Sequence, residues 1–241
     1  MLIMTDDRVS SGVEGFDKLL YGGFPPGRAY LVSGEPGTGK TIFCFQYLLA
    51  GVKLGEKCIY ISIDERPEHV IRDAQELGWD IKDALASGDL QILDLTDYFG
   101  TARLGEDKGI DINRIIEDVL GFVKKSGATR LVIDPIAPLV FSKNKVPEIS
   151  EYIRRMIFAI ESNNTCTTLL TSYIPVGSEV FSQHGVEEFA ASGIIVLRIL
   201  KSNNKFIRTI WLRKMRGTRI DLSEYSFEIL PQRGLVLRQP I

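Results

Sequence analysis

Short apolar runs recur along the chain, with amphipathic stretches between them. AYLVS at 29–33, CIYISI at 58–63, LQIL at 90–93, RLVID at 130–134 and CTTLLTS at 166–172 read as strands buried on both faces. Between 149 and 160, Ile149, Tyr152, Ile153, Met156, Ile157 and Ile160 recur at three- and four-residue spacing, which predicts a helix with one apolar stripe. Val70, Ile71, Ala74 and Leu77 after Pro67, and Ile115, Ile116, Val119, Leu120 and Val123 before Gly127, predict two more. Strands alternating with helices imply a mostly parallel sheet covered on both sides. After residue 190 the rhythm changes: GIIVLRIL, FIRTIWLRKM, YSFEIL and GLVLRQ follow one another without helix-length gaps and predict antiparallel strands at the sheet edge. Two long stretches, about 94–110 and 173–188, carry no pattern, and such loops in compact domains are often functional.

Composition narrows the class. The 241 residues, 44% hydrophobic and 25% charged, suffice for one substantial core, and a single domain spanning 1–241 is expected. A net charge of -2 gives no global attraction to nucleic acid or to an anionic membrane. Cys44, Cys58 and Cys166 have neither metal spacing nor an even count, which fits buried thiols in a reducing compartment. The opening MLIMTDDRVSSG has no basic segment followed by an apolar one, and no run reaches the ~18 apolar residues of a membrane span, so a cytoplasmic protein is expected.

One stretch carries sharp chemistry. GEPGTGKT fits GxxxxGK[ST], follows an apolar strand and opens the apolar stretch IFCFQYLLAGV. Gly34, Glu35, Pro36, Gly37, Thr38, Gly39, Lys40 and Thr41 then form a phosphate cradle. The glycines let backbone N–H groups face inward, Lys40 reaches the β- and γ-phosphates, and the Thr41 hydroxyl serves Mg²⁺. RLVIDP ends a strand on Asp134, a carboxylate suited to holding Mg²⁺ through its water shell. Together they point to a nucleoside triphosphatase. The strand ending at Ile63 delivers two adjacent acids, Asp64 and Glu65, either of which could orient or deprotonate the attacking water. Glu65 has a second reading, pairing with Arg66 or favouring the start of the next helix. His69 and His184 have no metal spacing and read as surface residues.

The stretch GVEGFDKLLYGGFPPGRAYLVSGEPGTGKT resembles the opening of the RecA/RadA/KaiC superfamily, with the KaiC branch fitting best. IDERPEHVIRDAQELGWD, GVEEFAASGIIVLRI and LRKMRGTRIDLSEYSFEI resemble KaiC domains too, so the likeness spans nearly the whole chain. The resemblance implies a RecA-like αβα P-loop fold, ATP and Mg²⁺ as ligands, and a self-assembled ring, usually hexameric, with nucleotide between subunits. Clock KaiC proteins carry two such domains, whereas this chain holds one. The family's KLRGT motif, whose lysine and arginine reach a neighbour's phosphates, stands here as KMRGT and assigns that role to Lys214 and Arg216. KaiC domains usually have Glu-Glu where this chain has Asp64 and Glu65, so the catalytic position falls on an acid one methylene shorter. Ser172 matches the polar residue that senses the γ-phosphate.

Three functions compete: a ring ATPase with a regulatory or signalling output through a protein partner, a RecA-like module on single-stranded DNA, and a nucleotide-gated or autophosphorylating scaffold. Segment 198–219 holds eight basic residues and no acid, which suits a subunit interface or a protected edge strand. Against DNA, loop 173–188 carries Glu179, Glu187 and Glu188 with no lysine or arginine, and the loop after Asp134 offers only Lys143 and Lys145.

Overall fold

The apolar runs become β1 (Ala29–Gly34), β2 (Cys58–Ser62), β3 (Leu90–Asp94), β4 (Arg130–Asp134), β5 (Thr167–Tyr173) and β6 (Gly193–Ser202), all mutually parallel. β7 (Lys205–Met215), β8 (Tyr225–Leu230) and β9 (Gly234–Pro240) continue the sheet antiparallel, in the order β3-β2-β4-β5-β1-β6-β7-β8-β9. This is a computed structural model, described over residues 8–96, 112–137, 146–163, 166–202 and 204–241. Most of the unpatterned stretch 94–110, and Lys143 and Lys145, lie outside the described residues.

The two-residue alternation of each strand divides the core. Leu31, Ile61, Ile133, Leu170 and Ile194 point toward the helices Ile112–Ser126 and Val146–Asn163. Tyr30, Tyr60, Val132, Leu169 and Ile195 point toward α1 (Lys40–Lys53) and α2 (Pro67–Glu76). The predicted helices at 149–160, after Pro67 and at 115–123 all form. A register shift interrupts the β6–β7 pair: Ile195 faces Leu212 while Ile194 faces Lys214, leaving Arg213 as an extra residue in β7. All three cysteines are buried and free. No helix among the described residues is long and apolar enough to cross a membrane.

At the N-terminal end of the parallel strands, Arg130 is 1% exposed. Its guanidinium donates to Glu56 Oε2 at 2.7 Å and Oε1 at 3.1 Å, and to the Ser10 and Tyr47 carbonyls at 2.7 and 2.8 Å. It also lies 4.7 Å from the Tyr47 ring centre. One side chain therefore joins β4, α1 and the N-terminal segment. Burial alone would raise the Glu56 carboxyl, but the Arg130 hydrogen bond and charge outweigh it and hold the group below its ordinary value. Glu56→Ala strands a buried guanidinium and is expected to cost roughly 3 kcal/mol at pH 7, the low end for a broken buried pair because Glu56 keeps some exposure. A depressed carboxylate contributes stability above its unfolded value and loses it as pH falls through the folded one, so the two proteins should converge in acid. Urea unfolding of both at neutral and acid pH checks this.

Candidate active site

β1 leads straight into the glycine-rich loop. Gly34 has no room for a side chain, since a Cβ there would sit 2.6 Å from both the Leu197 carbonyl and Thr38 Oγ1. Gly39, immediately before α1, adopts φ 106°, a conformation other residues rarely tolerate. Lys40 is buried, and its ammonium donates to the Gly34 and Glu35 carbonyls at 2.9 and 3.1 Å. It sits 4.5 Å from the Tyr173 ring centre. Burial lowers the Lys40 pKa, opposed by the charge of Asp134. No carboxylate pairs with it among the described residues, so a desolvated cation faces a cavity of about 350 Å³ bounded by Gly37, Thr41, Asp134, Tyr173 and Arg208. Such a group favours an anion.

Asp134 closes the other side. The Thr41 hydroxyl donates to its Oδ2 at 2.9 Å and the Tyr60 hydroxyl to the same oxygen at 2.6 Å. Thr171 donates to Oδ1. Tyr60, Asp134 and Thr171 share the α1 face of the sheet, and α1 brings Thr41 to them. The donor set fits a hard divalent ion carried with a triphosphate: one carboxylate and one hydroxyl meet beside the loop. No group of three or more His, Cys, Asp or Glu among the described residues makes a metal cage of its own.

The sequence candidates separate in space. Asp64 is half-buried and Glu65 exposed, just past β2, whose Ile63 N–H donates to the Asp134 carbonyl at 3.1 Å. The Ser62 hydroxyl donates to the Glu65 carbonyl and tightens the turn. Tyr173 is pushed up to about 12 by burial and then by the negative charges of Asp134, Asp64 and Glu65, in that order. What burial Glu65 has, followed by the charges of Asp73 and Asp134, raises its carboxyl above the usual range. Glu65 makes no ion pair with Arg66 among the described residues, and α2 starts without a side-chain cap.

Ser172 is turned away from the cavity. It lies on the other face of β5, fully buried, where it donates to Glu187 Oε1 at 3.1 Å and accepts from the Gln183 N–H at 3.1 Å. Thr171 and Tyr173, on either side of it, face the loop instead. His184, expected at the surface, is half-buried, with Nε2 enclosed and unpartnered among the described residues; burial lowers its pKa, against the charge of Glu187. His69 is exposed as expected.

Lys214 and Arg216 occupy the opposite end of the molecule. Met215 pairs with Gly193, which pairs with Tyr30, four residues or about 13 Å along β1 from Gly34. Lys214 donates to the Glu188 and Ala191 carbonyls at 3.0 and 2.7 Å, and Arg216 to the Phe189 carbonyl at 3.0 Å. Arg208, earlier on β7, instead reaches the P-loop, its Nε 3.3 Å from the Gly37 carbonyl. Sequence reasoning passed over Arg208, Tyr60, Thr171 and Tyr173. Strand alternation from Asp134 and Thr41 was the signal available for the last three, once the pairing of β2, β4 and β5 was known.

A strand, a P-loop and a distant strand-end aspartate meeting the P-loop threonine are a nucleotide-site geometry, and comparison with known proteins gives it a lineage. The family model described as "ATPase: KaiC" matches residues 9–240. The chain belongs to the KaiC ATPase family. A UPF0273 protein of Aeropyrum pernix is 31% identical over 236 residues, covering 96% of this chain and 93% of that protein. The circadian clock oscillator protein KaiC of Thermostichus vulcanus is 31% identical over 224 residues, 92% of this chain but 42% of the clock protein. The crystal structure of a KaiC-like protein from Pyrococcus horikoshii, 32% identical, superposes with a TM-score of 0.81 over 97% of this chain and 99% of that one. The αβα P-loop fold with antiparallel C-terminal strands is that of the KaiC family.

In this KaiC-family site the Asp134 carboxylate depends on three hydroxyl donors. Tyr60→Phe removes one without changing shape and should lower stability by about 1.5 to 3 kcal/mol, the range for a hydrogen bond to a charged group. Chemical denaturation at neutral pH measures it.

Proposed function

We propose that residues 1–241 act as one KaiC/RecA-like domain that binds ATP with Mg²⁺ and hydrolyses it in a ring of identical subunits, six being the family's usual number, with a regulatory or signalling output. The observation that carries this reading is the separation of the cations. Lys40 and Arg208 border the chain's own P-loop, whereas Lys214 and Arg216 lie at the far end of the sheet and are out of reach of it. A second subunit gives them a phosphate to meet. The same surface carries Phe189, 76% exposed, whose carbonyl accepts from Arg216, an apolar group suited to a subunit contact.

In this mechanism the P-loop N–H groups and Lys40 hold the β- and γ-phosphates, exchanging the Gly34 and Glu35 carbonyls for phosphate oxygens. Thr41 and Asp134 would hold Mg²⁺, which would supply charge neutralisation for the phosphates. Asp64 takes the proton of the attacking water, with Glu65 assisting. Its half-buried position next to Ile63, whose N–H donates to the Asp134 carbonyl, supports this ordering of the two acids. The neighbour's Lys214 and Arg216 stabilise charge developing on the γ-phosphoryl group, an effect of about 10³ to 10⁵ in rate for an arginine supplied in trans. The acidic loop 173–188 supplies no basic groove and argues against a single-stranded DNA substrate.

Two experiments test the reading. Arg216→Ala and Lys40→Ala are each expected to be inactive alone and to recover partial ATPase activity when mixed, with native mass measurement reporting the ring. A failure to recover at every mixing ratio would remove the trans assignment. Separately, Asp64→Asn is expected to lower kcat by about 10² to 10⁴ with little change in KM, and Glu65→Gln by much less. The reverse ranking would move the chemistry to Glu65, whose raised carboxyl would then show as activity lost when pH falls through a value above 4.5.

A further inference from the structure

The segment from Ser172 to Ala191 touches both sets of cations. At one end Tyr173 packs its ring on Lys40, the Ile174 N–H donates to the Gly34 carbonyl at 3.1 Å, and the Gly177 N–H approaches Glu35 Oε1 at 3.4 Å. At the other end three carbonyls, those of Glu188, Phe189 and Ala191, hold Lys214 and Arg216. Between them stands Glu187, a carboxylate with no exposed surface. One of its oxygens accepts from Ser172 Oγ and the other from the Val186 N–H at 3.1 Å. Among the described residues no lysine or arginine pairs with it. A buried carboxylate without a lysine or arginine partner is expensive for a short helix of four residues, Glu187–Ala190, that a neutral side chain could serve as well.

We infer that Glu187 is a positioning residue coupling a subunit's own nucleotide site to the two cations it offers its neighbour. The inference rests on the ring reading above. Lys40 is held by two carbonyls and the Tyr173 ring, and Lys214 spends two of its three donors on backbone carbonyls. Phosphate at Lys40 competes with Tyr173. A shift of Tyr173 moves the adjoining Ser172, and Ser172 pulls on Glu187 and so on the carbonyls that hold Lys214 and Arg216. The loop between has room to move, since Pro175, Val176, Gly177, Glu179 and Val180 in it are exposed. Filling one site thereby frees the cations that serve the next.

This coupling has a readout that trans catalysis alone lacks. If Lys214 and Arg216 were always available, each site would fill and turn over independently, and the ATP dependence would be hyperbolic. Coupling makes it sigmoidal, with a Hill coefficient clearly above one. Glu187→Gln keeps the bond from Ser172 but turns an amide toward the Val186 N–H, and Ser172→Ala cuts the link from the other side. Both variants are expected to fold, with a melting temperature lowered only as the loss of one buried hydrogen bond requires, and to keep the affinity for a fluorescent ATP analogue to within about twofold, while the Hill coefficient falls to about one. Should Glu187→Gln fail to fold, Ser172→Ala carries the test. A hyperbolic wild type, or variants that keep its cooperativity, overturns the inference while recovery in the Arg216→Ala and Lys40→Ala mixture leaves the ring reading standing. Absence of that recovery overturns both.

Discussion

The Asp134 carboxylate is the point at which four separate pieces of the chain are fixed to one another. Thr41 comes from the start of α1, Tyr60 from β2, Thr171 from β5, and the acid itself from the end of β4. A buried carboxylate requires such donors, and once they are present the P-loop cannot shift relative to the strand ends without leaving a charge unsatisfied. The same demand explains the order of the sheet around it. β2, β4 and β5 must be neighbours for Tyr60 and Thr171 to reach Asp134 from either side, and the C-terminal ends of the parallel strands become the place where chemistry gathers.

Much of this was legible in the residues because the signals are local. Continuous apolar runs marked the buried strands, three- and four-residue spacing marked the helices, and the P-loop is a contiguous motif whose mechanism requires its glycines and lysine. What escaped were contacts made across strands. Tyr60 looks like one more apolar member of CIYISI, and its hydroxyl acquires meaning only when β4 lies beside β2. The choice of Ser172 over its neighbours was a matter of phase: one step along a strand reverses the face, so Thr171 and Tyr173 meet the loop and Ser172 meets Glu187. His184 was misplaced because a loop that lacks any periodic pattern gives no sign of how deeply it folds back.

The basic segment 198–219 also resolves into parts that the sequence presented as one. Arg208 belongs to the P-loop, Lys214 and Arg216 to the opposite end, and Arg198 and Arg213 lie over Phe181, at 6.0 and 5.2 Å from its ring centre. Charge density along a strand therefore did not identify a single surface. A protein with a net charge of -2 can hold several small cationic sites, each with its own geometry.

The extra residue at Arg213 sets which of those sites exists. Before it, Arg208, Ile210 and Leu212 face α1 and the P-loop; after it, Lys214 and Arg216 face the short helix Glu187–Ala190. In an unbulged strand all five would project from the same side, and the two terminal cations would point to the wrong layer of the molecule. A single-residue deletion there would leave the composition, the KMRGT motif and almost every strand pair in place, yet would swap the address to which the motif is delivered. In this fold the meaning of a motif depends on the parity of the residues before it.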